Sequence, residues 1–323
     1  MSDKHQALSN GKTKGIILVL AASALWGISG AVAQYLFHQQ EFSPEWVVVV
    51  RLLTSGSILL AFATFKEKIC IWQIWKNKND VITLLLFSIL GVLAVQYTYF
   101  AAIKHSNAAT ATILQYLAPV LIFCYLSIRN KKLPSITEGL AVLLALLGTL
   151  LLVTRGNLKS LSISEWALFW GVASAFALAY YTLKPVQLLN RWGSSIITGW
   201  GMLLGGICFS FINPPWVFQG QWSFNSFLAI VFIIIFGTVI TFHFYLESLR
   251  YNTATETSLL ACAEPLAAAL VAVVWLKVPF GLAEWVGTFC IIGTIIILTL
   301  TKNTNSTNIH KTTSDKEALL AKQ

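Results

Sequence analysis

Two residues of this 323-residue chain, Glu264 and Arg51, carry charge where charge is costly. Glu264 is the twelfth residue of an apolar run from 253 to 275 and stands directly before Pro265, while Arg51 lies inside another apolar run, from 44 to 65. On insertion scales a charged side chain in mid-membrane costs on the order of 2.5 to 3.5 kcal/mol, so each needs a reason. A carboxyl group at mid-span can exchange a proton or hold an amine, which makes Glu264 the candidate for coupling; the competing reading is a protonated acid bonded to a neighbouring helix. The Arg51 guanidinium either snorkels outward or pairs with a carboxylate or an anionic solute, and a structural ion pair is the favoured of these.

Pro119 and Pro265 each remove one helical hydrogen bond and kink their run, which leaves a carbonyl free for a ligand or a neighbour. Around them lie Trp26, Gln96, Tyr99, Gln115, Tyr180, His243 and Tyr245. Their aromatic faces and amides suit a small organic solute, including a cationic or aromatic one; the alternative for each is a bond between helices. No HExxH, GxSxG or Walker loop appears, so no catalytic residue is assigned and an ATP-driven pump has no motif to rest on. Cys124, Cys208, Cys262 and Cys290 fall inside apolar runs and Cys70 stands alone in a loop, so a disulfide framework, a metal site and a cofactor are not expected. A channel would need a visible selectivity ring.

The elements that must position these residues are membrane helices. Apolar residues make up 56% of the chain and charged ones 11%, with a mean hydropathy of +0.72. Ten runs reach the roughly 20 residues a span requires: 15 to 37, 44 to 65, 80 to 102, 107 to 127, 134 to 153, 164 to 184, 193 to 212, 223 to 246, 253 to 275 and 280 to 300. If the N-terminus is cytoplasmic, 17 of the 22 Lys and Arg fall on the inner side and 4 on the outer, with Arg51 inside a span. That asymmetry follows the positive-inside rule, places both ends in the cytoplasm, and accounts for the net charge of +9 without nucleic acid. Residues 1 to 14 and 301 to 323 read as unstructured cytoplasmic tails. The segment from Lys66 to Asn79 reads either as an interfacial stretch or as a loop with aromatic anchors, and Asn213 to Trp222 as an outer turn.

The chain also repeats itself. At an offset of 146, Gly91, Tyr99, Ala108, Leu114, Pro119 and Glu138 fall on Gly237, Tyr245, Ala254, Leu260, Pro265 and Glu284. Two halves of five helices, 15 to 153 and 164 to 300, must enter the membrane with opposite orientation because five is odd. The expected fold is therefore an all-α membrane protein of ten transmembrane helices in two inverted five-helix repeats, an architecture that secondary transporters use. Small-residue stripes (Ser23, Gly27, Ala31; Gly171, Ala175, Ala179; Gly201, Gly205) mark close helix packing.

In these features the chain resembles the drug/metabolite transporter superfamily in its ten-helix EamA branch. The resemblance rests on Trp26-Gly27, on Arg51, on YFAAIKHSNAATATILQYLAPVL from Tyr99 and its counterpart YLESLRYNTATETSLLACAEPLAAAL from Tyr245, and on Glu138 with Gly148 and Glu284 with Gly293. It departs from the family where a Gly-Glu dipeptide often follows the fourth and ninth helices, since Asn130-Lys131 and Lys277-Val278 stand there. The resemblance implies export or uptake of small metabolites without naming the solute; the expected protein is a secondary transporter of the plasma membrane, an exporter of small organic metabolites such as amino acids or amines by alternating access. By that resemblance its central cavity would be lined by helices one, three, four, six, eight and nine; Glu264 makes protons the candidate coupling ion, and a monomer or weak homodimer is expected. A multidrug efflux carrier, or a non-transporting receptor or enzyme, stays open as an alternative.

Overall fold

A computed structural model describes residues 2–65, 70–106, 108–131, 136–154 and 164–261, together with 263, 264, 267, 281–283, 285–287, 289, 290 and 293. Pro265, Cys262, Glu284 and the segment 301–323 lie outside the described residues, as do the side chains of Pro119, Cys124 and Glu138. The protein is an all-α membrane protein; among the described residues there is no strand. Five described helices are long and apolar enough to cross a membrane, and a pair bent by 119° makes a sixth.

The helices follow the sequence runs, with breaks at particular residues. The first run is α1, Ser2–His38. It begins far ahead of residue 15, so residues 2 to 14, expected to be an unstructured tail, are helical. Lys12 and Lys14 hold this extension: Lys12 pairs with Glu256 at 3.7 Å, and Lys14 Nζ donates to Tyr251 Oη at 3.0 Å. The second run is α2, Pro44–Phe65, which opens with proline at its first position after a Ser43 cap, where the missing N–H would have no partner anyway. The third comprises α3 (Lys78–Leu86), a π-helical segment (Phe87–Leu93) and α4 (Ala94–His105). The fourth is split into α5 (Ala108–Gln115) and α6 (Ala118–Asn130), and the fifth is α7 (Ile136–Thr154).

The second half begins with α8, Glu165–Leu183, capped by Ser164. A short α9 (Val186–Trp192) turns at Gly193 into α10 (Ser194–Ser210); φ at Gly193 is +81°, a conformation only glycine adopts without strain. The eighth run is α11 (Phe224–Ile234), a second π-helical segment (Ile235–Ile240) and α12 (Thr241–Ser248). The ninth starts as α13, Ala254–Leu260.

Contacts between the halves obey a two-fold relation. Helix two (α2) packs along its own counterpart, helix seven (α10), and α6, the second part of the fourth run, packs on α13, the start of the matching ninth run. The first helix packs on the eighth (α1 on α12) just as the third packs on the sixth (α4 on α8). At the α2–α10 crossing the backbones nearly touch: a Cβ on Gly56 would lie 2.5 Å from the Leu203 nitrogen and 2.9 Å from the Gly199 carbonyl. In lipid, such small-residue contacts replace the hydrophobic drive that water would supply.

The loops are pinned rather than loose. Trp72 and Trp75 set their rings edge-on against Trp200 at 5.2 and 5.1 Å, and Trp200 Nε1 donates to the Ile71 carbonyl at 2.9 Å. Residues 70 to 76 therefore dock on α10, with Ile74 fully buried. On the opposite side, Trp46 Nε1 donates to the Pro215 carbonyl at 2.8 Å, and Phe42, Trp46, Phe218 and Trp222 form one aromatic cluster. Asp80, buried, accepts from Arg191 Nη1 at 3.0 Å and Trp192 Nε1 at 2.9 Å, which ties the first turn of α3 to the end of α9.

Candidate functional site

Irregular helix lies at equivalent places in the two halves. Gly91 and Gly237, matched at the 146 offset, both fall within π-helical segments. One turn farther along, Gln96 and Tyr99 on α4 correspond to Phe242 and Tyr245 on α12. An inserted π residue rotates the remainder of its helix, and such insertions cluster at functional sites. Here Gln96, Tyr99, Phe242 and Tyr245 all line one cavity.

Proline chemistry builds the other wall. Pro119 cannot donate to the carbonyl four residues back, Gln115, and α5 stops at Gln115 before a turn at Tyr116–Leu117. By the same logic Pro265 releases the carbonyl of Ala261, just past the end of α13. Tyr116 Oη donates to that Ala261 carbonyl at 2.6 Å, and the Glu264 amide donates to it at 2.9 Å. One proline break thus supplies the hydroxyl that satisfies the carbonyl freed at the other.

Between these elements lies a cavity of about 50 Å³ lined by Trp26, Arg51, Gln96, Tyr99, Phe100, Gln115, Tyr116, Phe242, Tyr245 and Glu264, among others. It has room for no more than a few waters and is far below the several hundred Å³ that an organic ligand fills, so this conformation is closed around it. Arg51 is 4% exposed; its Nε donates to Gln96 Oε1, and its guanidinium carbon lies 4.0 Å from the centre of the Phe100 ring. Among the described residues the guanidinium has no carboxylate partner and makes no other hydrogen bond. The Gln96 Nε2 is buried without a partner. Glu264 is 6% exposed, and its Oε2 accepts from Tyr116 Oη at 3.2 Å. Tyr99 bonds to Thr112 Oγ1 at 3.0 Å and Tyr245 to Thr182 Oγ1 at 2.8 Å, while Trp26 packs on Phe242 and Tyr245 with ring centres 5.1 and 5.0 Å away.

Of the residues singled out by sequence, Trp26, Arg51, Gln96, Tyr99, Gln115, Tyr245 and Glu264 meet at this cavity, and Tyr180 and His243 do not. Tyr180 stands two residues from Leu178, which does line it; two residues turn a helix by about 200°, and Tyr180 faces a separate groove. His243 is half-buried next to Phe242, one position around the helix from the cavity wall. The ion pair favoured for Arg51 is replaced by an amide and a ring. The Pro119 backbone takes part in the break before α6, whereas Pro265 itself lies outside the described residues. Sequence reading passed over Tyr116 and Phe100. The signal for Tyr116 was its place three residues before Pro119; Phe100 looked like one more apolar residue. A cation and an acid in one apolar cavity, with unpaired amide donors and aromatic walls, can grip a solute that carries both a carboxylate and an amine.

The sequence profile of the EamA-like transporter family matches residues 13–154 and again 165–300, the same two halves. The chain is similar to the uncharacterized inner membrane transporter YicL of Salmonella typhimurium, 41% identical over 290 residues that cover 89% of this chain and 95% of YicL. It is similar also to the uncharacterized transporter YyaM of Bacillus subtilis, at 23% identity over 293 residues covering 87% and 90% of the two chains. A solved crystal structure superimposes with a TM-score of 0.72 at 17% identity, covering 91% of this chain and 97% of that one.

Proposed function

This chain belongs to the EamA-like transporter family, and from that premise we propose that it is a secondary transporter that exports small organic metabolites, amino acids or amines, by alternating access. Protons are the coupling ion in this reading, and Glu264 carries them. Both termini face the cytoplasm of the cell membrane, and the chain works as a monomer or weak homodimer. The observation that carries the proposal is the pairing of Glu264 with Arg51 in one buried cavity where two oppositely inserted repeats meet, with no ion pair between them. Two ionisable groups with no ion-pair partner among the described residues are costly in mid-membrane, and a zwitterionic solute would satisfy both. Opening either side of a closed cavity of this kind by rocking one repeat against the other is what alternating access requires.

A multidrug carrier would use the same aromatic wall for organic cations. Arg51 disfavours that reading for a cation that carries no anionic group, and for the same reason favours amino acids over simple amines, because its guanidinium lies against the cavity and repels an unbalanced positive charge there.

Purified protein in liposomes tests the proposal. The wild-type chain should move pooled amino acids or amines saturably, without ATP, and faster under an imposed pH gradient. Glu264→Gln should remove the pH-driven component and leave solute exchange measurable. Intact pH dependence in that variant would make Glu264 structural, and no flux of any pooled metabolite under any ion gradient would remove the transport reading itself.

A further inference from the structure

A second cavity, of about 1100 Å³, opens on the outside of the bundle between the third, fourth and sixth helices, and it contains none of the charged pair described above. Each helix offers it one stripe: Thr83, Leu90, Ala94 and Thr98 from α3 through α4, Leu121, Tyr125 and Arg129 from α6, and Ala173, Phe176, Ala177 and Tyr180 from α8. From Thr83 to Thr98 is fifteen residues, about 22 Å of helix, which exceeds the roughly 15 Å hydrocarbon depth of one leaflet. Chemistry changes along that length. At the helix-end mouth stand Arg129, Lys184, Gln187 and Thr83, and deeper in the wall is apolar, with Leu90 and Phe176 50% and 59% exposed. Among the described residues Arg129 and Lys184 have no carboxylate partner and no acidic side chain lines the groove.

We propose that this groove binds one anionic phospholipid, its acyl chains along the apolar wall and its phosphate held by Arg129 and Lys184. Two unpaired cations at one end select for negative charge, since a basic side chain near an anionic bilayer surface contributes on the order of 1 kcal/mol. A free phosphate would leave the apolar wall bare, and a neutral solute would leave both cations without a counter-ion. The volume also exceeds what a small organic ligand fills. On the orientation proposed above, the charged mouth faces the inner leaflet; lipid binding itself needs only the membrane embedding.

The test uses the full chain in mild detergent, titrated separately with phosphatidylglycerol, phosphatidylcholine and free glycerol phosphate. Bound lipid is counted by native mass spectrometry, and stability is followed by the unfolding temperature. One phosphatidylglycerol should be retained per chain and should raise the unfolding temperature, whereas phosphatidylcholine and glycerol phosphate should do neither. The double variant Arg129→Ala, Lys184→Ala should weaken retention by at least about tenfold. Both side chains are exposed, so the unfolding temperature without lipid should hold. Ala173→Phe, at a half-buried position on the groove wall, should block that wall and cut retention with both charges in place. Equal retention of the two lipids, retention that survives the double variant, binding of glycerol phosphate alone, or a dimer that fills the groove would each overturn the proposal. Such a failure would leave the transport reading untouched, because Glu264 and Arg51 lie in the other cavity.

Discussion

Arg51 is held by two weak partners, an amide oxygen and the face of Phe100, and that combination depends on a planar guanidinium. Arg51→Lys should therefore raise the KM for a carboxylate-bearing solute by about tenfold with a smaller change in kcat, measured as initial flux in liposomes. An unchanged KM would mean that the solute does not meet Arg51. Tyr116→Phe deletes the hydroxyl that bridges the Ala261 carbonyl and Glu264, and should cost about 1 to 3 kcal/mol in denaturant unfolding because the buried Glu264 carboxyl loses its hydroxyl partner, while the carbonyl keeps the Glu264 amide. The sequence revealed these charged and proline residues because each breaks a rule of lipid exposure. It did not reveal Tyr116, whose role depends on a freed carbonyl 145 residues away, and it misplaced Tyr180, because helical phase at a cavity wall is decided by packing.

Whole spans were legible from apolar length, and their interruptions were not. The π-helical segments at Phe87–Leu93 and Ile235–Ile240 leave no compositional mark beyond the matched Gly91 and Gly237. The helical start of α1 was missed because its basic residues resemble a tail until Tyr251 and Glu256 are there to receive them. At the α2–α10 crossing there is no room for a side chain, so Gly56→Val should destabilise the protein by about 2 kcal/mol, read as a lower unfolding temperature in detergent. Asp80→Ala removes the acceptor shared by Arg191 and the Trp192 indole and should cost about 2 kcal/mol in the same measurement. If either variant unfolds like the wild type, the corresponding contact does not hold the bundle together.

At the scale of the molecule, the five-plus-five pattern was visible as a repeat, and the structure adds the reciprocal packing of helix one on eight and three on six. Single cysteines report the orientation proposed from charge: a membrane-impermeant label applied outside should reach Phe218→Cys and spare Lys131→Cys, and the reverse pattern would invert the topology. The central claim is that the cavity between the repeats opens to each side in turn. Its most direct measurement is the reactivity of Ser258→Cys, a cavity-lining position, in a chain whose Cys70, Cys124, Cys208, Cys262 and Cys290 have been replaced. Right-side-out and inside-out vesicles are each treated with an impermeant thiol reagent. Labelling is expected from both sides, slowed in both cases by a transported solute; labelling from one side alone under every gradient would mean that the cavity does not alternate.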